Sequence, residues 1–254
     1  MLPPQFKQET TPRGTIVYKD SFPKIPLIDL RRHKPLNSPG SSTLAVTYLA
    51  DGVVARQRVG NDAKIRMNSV SGQIVIEVGS VESWFNAALE ASKAVKGLKG
   101  VRFEEPLGYS DYGIYFSKFY GGRTLLKTGY SASIPDRRLL NTVRGIALMH
   151  LADVYHGHLF DRNILLVGSE QEPTFVIIDP KLARKGGFES ETERMGRIRH
   201  DLFPIVMLHC NALLQAGRRV ERLLDKAEKT YQRENPVPVE VLGDSIRNWL
   251  LLPP

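Results

Sequence analysis

The residues best able to do chemistry lie together in the stretch YHGHLFDRNILLVGSEQEPTFVIIDP, residues 155–180. A polar loop carries His156, His158, Asp161 and Asn163. A short apolar strand follows, and after a turn a second apolar strand ends in Asp179. Asn163 and Asp179 offer an amide oxygen and a carboxylate, hard donors of the kind magnesium takes. Their spacing fits a β-hairpin that would hold them side by side. His158 is an imidazole able to accept a proton near neutral pH, and Asp161 is a carboxylate in the same loop. The His156-x-His158 spacing can also bind a metal, with His150 and His209 as further imidazoles. No third ligand is evident, however, and the single cysteine, Cys210, supplies no zinc framework. Taken singly, each of these is an ordinary polar loop residue; the combination carries the signal.

The elements that must position this loop can be read from periodicity. Residues 1–42 hold seven prolines and no sustained pattern, which predicts an irregular arm, with FPKIPLIDL able to pack on the body. TLAVTYLA, VVARQRV, KIRMN and QIVIEV are β-branched, roughly alternating and separated by ADG, GND and SVSG, so strands and turns are expected. WFNAALEASKAVKGL, capped by Ser80 or Ser83 and ended at Gly97 or Gly100, predicts a helix. Two strands follow around VRFEEPLGYS and GIYFSKFY. From about residue 136 the pattern turns helical: Leu139, Val143, Ile146, Ala147, His150 and Val154 fall at helical spacing. A further helix is expected from near Asp201, and VERLLDKAEKTYQRE is amphipathic. Strands first and helices second predict an α+β chain with a small β-rich lobe, 43–122, and a larger α-rich lobe, 123–254.

Composition narrows the function classes. The 254 residues are 42% hydrophobic, enough for a core, and no run approaches the length of a membrane span. The N-terminus lacks the apolar centre of a signal peptide. One cysteine in an apolar run reads as a core residue in a reducing, cytoplasmic setting, whether of its own cell or of a host cytosol. A net charge of +8 favours acidic partners. RRHK, ARKGG and AGRRVERLLDK allow a basic nucleic-acid-binding protein as one alternative, but no nucleic-acid motif accompanies them.

The loop resembles that of the protein-kinase-like superfamily, and is most similar to its atypical and small-molecule-kinase branch, whose loop reads H-G-D-L-x-x-x-N-I-L. His156, Gly157, Leu159, Asn163, Ile164 and Leu165 match it, and Asp179 after FVII matches the family's metal-binding aspartate. The resemblance covers roughly residues 55–215. It implies a bilobal fold with ATP and magnesium between the lobes, where phosphoryl transfer needs mainly positioning and metal clamps. It further implies Asn163 and Asp179 as metal ligands, and Gly60 in VGNDAKIRM in place of the phosphate loop with Lys64 beside it. Glu90 falls at the family's helix glutamate. Phe119 and Tyr120 of YFSKFYGG fall at the hinge, lining the adenine slot, and Asp201 of RHDLFPI at the buried aspartate that braces the loop.

Two positions depart from the family. The loop aspartate that accepts the substrate proton falls on His158, and the strand lysine that grips the phosphates falls on Glu77. A carboxylate facing triphosphate is repulsive, and beside Glu90 it makes a like-charge pair. Lys64, Arg66 or Lys93 would have to take over. The leading expectation is therefore a pseudokinase or strongly atypical kinase, acting as a nucleotide-dependent binding or regulatory module for a protein partner or acidic substrate. The alternative is an active phosphotransferase on a protein Ser/Thr, small molecule or sugar, using His158 or Asp161 in place of the usual aspartate.

Overall fold

Asp51 and Gly52 both take left-handed backbone angles, φ 50° and 78°. That closes the two-residue turn which suits twisted strands, and folds AVTYLA and VVARQR into a hairpin. In the computed structural model, which describes residues 2–37, 44–59, 64–69, 72–129, 132–169, 172–188 and 190–236, this is the second hairpin of the chain. β1 (Phe6–Thr11) and β2 (Gly14–Lys19) come first, then β3 (Ala45–Ala50) and β4 (Val53–Arg58). β5 (Lys64–Ser69) and β6 (Gly72–Glu77) follow, described by their backbone alone. α1 (Val81–Ala94) is capped by Ser80, whose side chain accepts from Ser83 N at 3.1 Å. β7 (Val101–Phe103), β8 (Pro106–Ser110) and β9 (Ile114–Lys118) complete the first half.

Six of these strands form one antiparallel sheet in the order β1-β2-β8-β9-β4-β3. The expectation of an irregular arm over 1–42 is thus corrected at its start, where FKQETT and GTIVYK pair residue for residue. β1 is an edge strand with most of its side chains in water, so its polar sequence carries no alternation to detect. Residues after β2, up to Leu30, cover the sheet's outer face. Ile25 and Leu30, on two short 3-10 turns, pack with Ile16, Val53, Ala55, Leu107, Ile114 and Phe116. Strand period two then sends Val17 and Tyr115 to the opposite face, where they join Trp84 and Phe85 of α1 in the main core. α1 presents Val81, Trp84, Phe85, Ala88 and Ala91 on that side, the spacing of one helical face.

The second half begins with β10 (Arg123–Thr124) and α2 (Leu125–Thr128). α3 (Asp136–Leu151) buries Leu139, Val143, Ile146, Ala147 and His150, as its periodicity predicts, whereas Val154 lies beyond it in β11 (Val154–Tyr155). β12 (Ile164–Val167) and β13 (Thr174–Ile177) form the expected hairpin, and β14 (Arg184–Lys185) pairs with β11. α4 (Glu191–Gln215) starts ten residues before Asp201, capped by Ser190, whose side chain accepts from Glu193 N. The charged ETERMGRIRH turns hide their thin apolar stripe, so the sequence suggests a later start. α5 (Glu221–Glu234) lies along α3 and buries Leu223, Leu224, Ala227 and Tyr231. One connection ties the halves together: β7 leaves α1 to pair in parallel with β13, in a second sheet of order β10-β12-β13-β7.

The architecture is α+β in two lobes, a β-rich one carrying α1 and a mainly helical one. Trp84 and Cys210 are fully buried, and burial pushes the Cys210 thiol up to about 12, the behaviour of an inert core residue. Trp249 and the apolar C-terminal segment lie outside the described residues. Among those described, no helix is long and apolar enough to cross a membrane.

The β2–β8 register generates a direct test. A Cβ on Gly108 would sit 2.3 Å from Val17 O and 2.9 Å from Tyr18 Cα, both backbone atoms that cannot swing aside. Gly108→Ala is expected to destabilise the protein by about 1–3 kcal/mol, read as a lowered urea midpoint. An unchanged midpoint would contradict this strand pairing.

Candidate functional site

The loop from His156 to Asn163 is held from below by one carboxylate. Asp201, in the middle of α4 and fully buried, accepts from His156 N at 2.7 Å and Gly157 N at 2.8 Å, and pairs with His150 Nε2 at 3.1 Å. Burial alone would raise its pKa. The hydrogen bond from His150 and the neighbouring imidazoles outweigh burial and hold it below the usual carboxylate value. His150 Nδ1 in turn meets Tyr231 OH at 2.7 Å, and Asn235 Nδ2 donates to that oxygen at 3.2 Å. Gly157 has φ 71°, and a Cβ there would lie 2.8 Å from Leu182 O, so both the turn and the space demand glycine.

His156 is a pin rather than a ligand. Its Nε2 lies 2.9 Å from the Ile178 carbonyl, which can only accept, so the ring proton sits on Nε2. Nδ1 is then free to accept from His158 N at 3.2 Å. Burial lowers the His156 pKa and keeps the ring neutral. The Ile178 carbonyl directly precedes Asp179, so the loop and the metal-type aspartate are stitched together.

Asn163 and Asp179 come together as their spacing suggests. Ile164 pairs with Ile177 across the hairpin, and Ile178 N donates to Asn163 O at 2.9 Å. The two residues therefore leave adjacent strands at the same end. Asn163 is buried and its Nδ2 donates to His158 O at 2.7 Å, which leaves the amide oxygen as the atom a cation would take. Asp179 sits in left-handed backbone, φ 70°. Its Oδ2 accepts from Lys181 Nζ at 2.6 Å, while its buried Oδ1 has no hydrogen-bond partner and lies 3.6 Å from Arg56 Nε. Burial raises this carboxyl, but the charges of Lys181 and Arg56 more than offset that and bring it down to about 2. Two oxygen donors, one of them buried and unspent, fit magnesium, which borrows its remaining ligands from phosphate and water. Among the described residues no cluster of three or more His, Cys, Asp or Glu is arranged to hold a metal.

His158 occupies the centre of this corner. Its ring nitrogens face two donors, Nε2 toward Arg162 Nη2 at 2.8 Å and Nδ1 toward Asn163 Nδ2 at 2.9 Å, and a neutral imidazole accepts from only one of them. Burial is the largest cause that takes its pKa down to about 3, with the charge of Lys181 adding to it and Asp179 opposing. The ring is therefore neutral and a weak base. Asp161 is half-buried on a 3-10 turn and its carboxylate accepts from Arg162 N at 2.8 Å.

A buried cation stands on β4. Arg56 of β4 is 4% exposed. Its Nη2 pairs with Glu104 Oε2 at 3.0 Å, its Nη1 donates to Ser117 Oγ at 3.0 Å, and its Nε faces Asp179. Glu104, 1% exposed, follows β7 directly, and its backbone N donates to Ile177 O at 2.8 Å. Burial and the nearby Asp179 make Glu104 harder to ionise, and Arg56 opposes them. Neither residue stands out in the sequence, where VVARQRV reads as a strand; the signal available for Arg56 is a lone arginine within an apolar strand, V-V-A-R.

The other expected positions are distributed as follows. Glu77 and Lys64 are directly paired on the β5–β6 hairpin, a two-stranded sheet of its own, and their side chains, with that of Arg66 and all of Gly60, lie outside the described residues. Glu90 binds Lys93 at 2.8 Å one turn along α1, so the carboxylate opposite the strand cation is Glu104. Phe119 is 45% exposed. Tyr120 OH accepts from Glu105 N at 3.0 Å and lines a different cleft.

No family model matches the chain, and no curated protein matches it. Among solved structures it is similar to the kinase PK-1 of Cydia pomonella granulovirus, at 12% identity over 76% of this chain and 72% of that one, with TM-score 0.47. It is also similar to WaaP in complex with acyl carrier protein, at 13% identity over 85% of this chain and 93% of that one, with TM-score 0.44.

The bracing carboxylate supports a second prediction. Asp201→Asn leaves at least one of its buried donors unsatisfied, and the expected loss is about 3–5 kcal/mol in chemical denaturation. Asp161→Asn, a change to a half-buried loop side chain, is expected to shift stability by less than about 1 kcal/mol. Equal effects of the two would remove Asp201 as the brace.

Proposed function

We propose that the protein is a kinase-like module that binds ATP with magnesium and transfers phosphate poorly. Asn163 and Asp179 supply the metal's protein oxygens, and Arg56, held by Glu104, meets the phosphates. Held there, magnesium would supply positive charge against that of the phosphates. The observation that carries this reading is Oδ1 of Asp179, buried without a hydrogen bond and facing the Arg56 guanidinium at 3.6 Å. A buried carboxylate oxygen without a hydrogen bond of its own keeps lone pairs for a metal.

The presence of Arg56 relieves one of the two departures noted in the sequence, because Glu77 no longer has to face triphosphate. The other departure stands. His158 cannot supply a negative charge, it is a weak base, and its ring faces two donors, Arg162 and Asn163. Asp161 is turned to the backbone of Arg162. Loss of a charged catalytic group of this kind costs roughly 3–4 kcal/mol of transition-state stabilisation. These observations favour binding and regulation of a partner over turnover.

A melting experiment tests the proposal. Mg·ATP is expected to raise the melting temperature of the wild type, with a stabilisation of about 2.7 kcal/mol at a hundredfold excess over Kd. Asp179→Ala is expected to abolish the magnesium-dependent part, and Arg56→Met to weaken ATP binding with or without the metal. Phosphate transfer is expected at background, and to rise at least about tenfold in His158→Asp. A flat melt with Mg·ATP would overturn the binding site. Wild-type transfer that Asp179→Ala abolishes and His158→Asn leaves intact would replace the regulatory reading by an active phosphotransferase.

A further inference from the structure

A cleft of about 830 Å3 lies where the C-terminal end of α1, β7 and the β1–β2 hairpin meet. It is distinct from the site above: Arg56, His158, Asn163 and Asp179 do not line it. Among the described residues its wall carries seven cations and two carboxylates. Four of the cations are matched, Lys19 and Lys118 by Glu105, Arg138 by Glu172 and Lys93 by Glu90. The other three, Lys96, Lys99 and Arg102, are exposed and form no ion pair among the described residues. Gly97 and Gly100, at φ 87° and 78°, turn the chain sharply between them and gather the three charges on one rim. A fourth group points the same way. Arg138 lines the cleft and is 7% exposed, and it packs so closely over Gly100 that a Cβ there would strike the guanidinium. Its buried Nε has no hydrogen-bond partner.

We propose that this cleft binds a small polyanion, a molecule carrying two or more phosphate or carboxylate groups. Three uncompensated cations on one concavity repel one another, and an anion that meets all three removes that repulsion. One anionic group does not balance three charges, hence the polyanion. The volume falls within the roughly 300–1,000 Å3 of small-molecule sites. A docked acidic protein would instead spread over about 800 Å2 of surface, whereas these charges converge on one hollow.

The probe is tripolyphosphate without magnesium, titrated by calorimetry at low salt. The wild type is expected to bind it with an affinity that falls steeply as salt rises. A triple Lys96→Ser, Lys99→Ser, Arg102→Ser variant is expected to lose about tenfold or more. Since the three side chains are exposed, the triple variant should melt with the wild type when no anion is present. The single variant Lys99→Glu, expected to weaken binding by about threefold or more, serves if it does not. Absence of binding by the wild type overturns the proposal. So does binding kept in the triple variant, which would assign the anion to another site. Binding of a poly-aspartate peptide without binding of tripolyphosphate also overturns it, in favour of an acidic protein segment.

Discussion

A buried carboxylate without partners is among the costliest groups a fold can contain. Asp201 is made tolerable by the two backbone N–H groups of the loop and by His150. The dependence runs both ways. Those N–H groups are buried and need an acceptor, and the left-handed turn at Gly157 presents both of them to one side chain. Tyr231 and Asn235 extend the chain of hydrogen bonds to α5. Three helices and the loop therefore fit together only when all these groups are satisfied at once. Such a network fixes one loop conformation more firmly than apolar packing of the same volume would.

The second charge cluster is arranged differently from what the family resemblance implies. The partner of the strand cation comes from the segment after β7, not from α1. β7 pairs with β13, whose end leads to Asp179, and Glu104 N donates to Ile177 O. Glu104 and Asp179 are thus set by adjacent strands of one sheet, and Arg56 reaches both from β4. A shift of α1 along its own axis would leave these three groups together. Glu90, released from any role there, binds Lys93 at the surface.

What the sequence reveals of this follows from how local each feature is. The loop, the two ligand-type residues and the hairpin between them lie within one short run, so residue type and spacing suffice. Asp201 is legible by its setting even though α4 starts earlier than its apolar pattern suggests. Arg56 and Glu104 meet through strand pairings between distant segments, and a hairpin of similar composition stands between β4 and α1. Period-two alternation marks such segments as strands but not their order in a sheet. β1 is hidden for another reason: an edge strand with polar side chains on both faces has no pattern to read.

The two clusters are mechanically close. β7 is three residues long, with Val101 and Phe103 buried in the core, Arg102 exposed to the cleft and the buried Glu104 following it. One short backbone segment carries both charged residues. A charge placed on Arg102 therefore acts on the same short strand that holds the partner of Arg56. Coupling between two sites is reciprocal in free energy, so an anion that favours one seating of β7 and nucleotide that favours the same seating would each strengthen the other's binding. Phe103 resists the alternative: it packs edge-on to His156, ring centroids 5.8 Å apart, and a displacement of the strand would disturb the pin beneath Asp179.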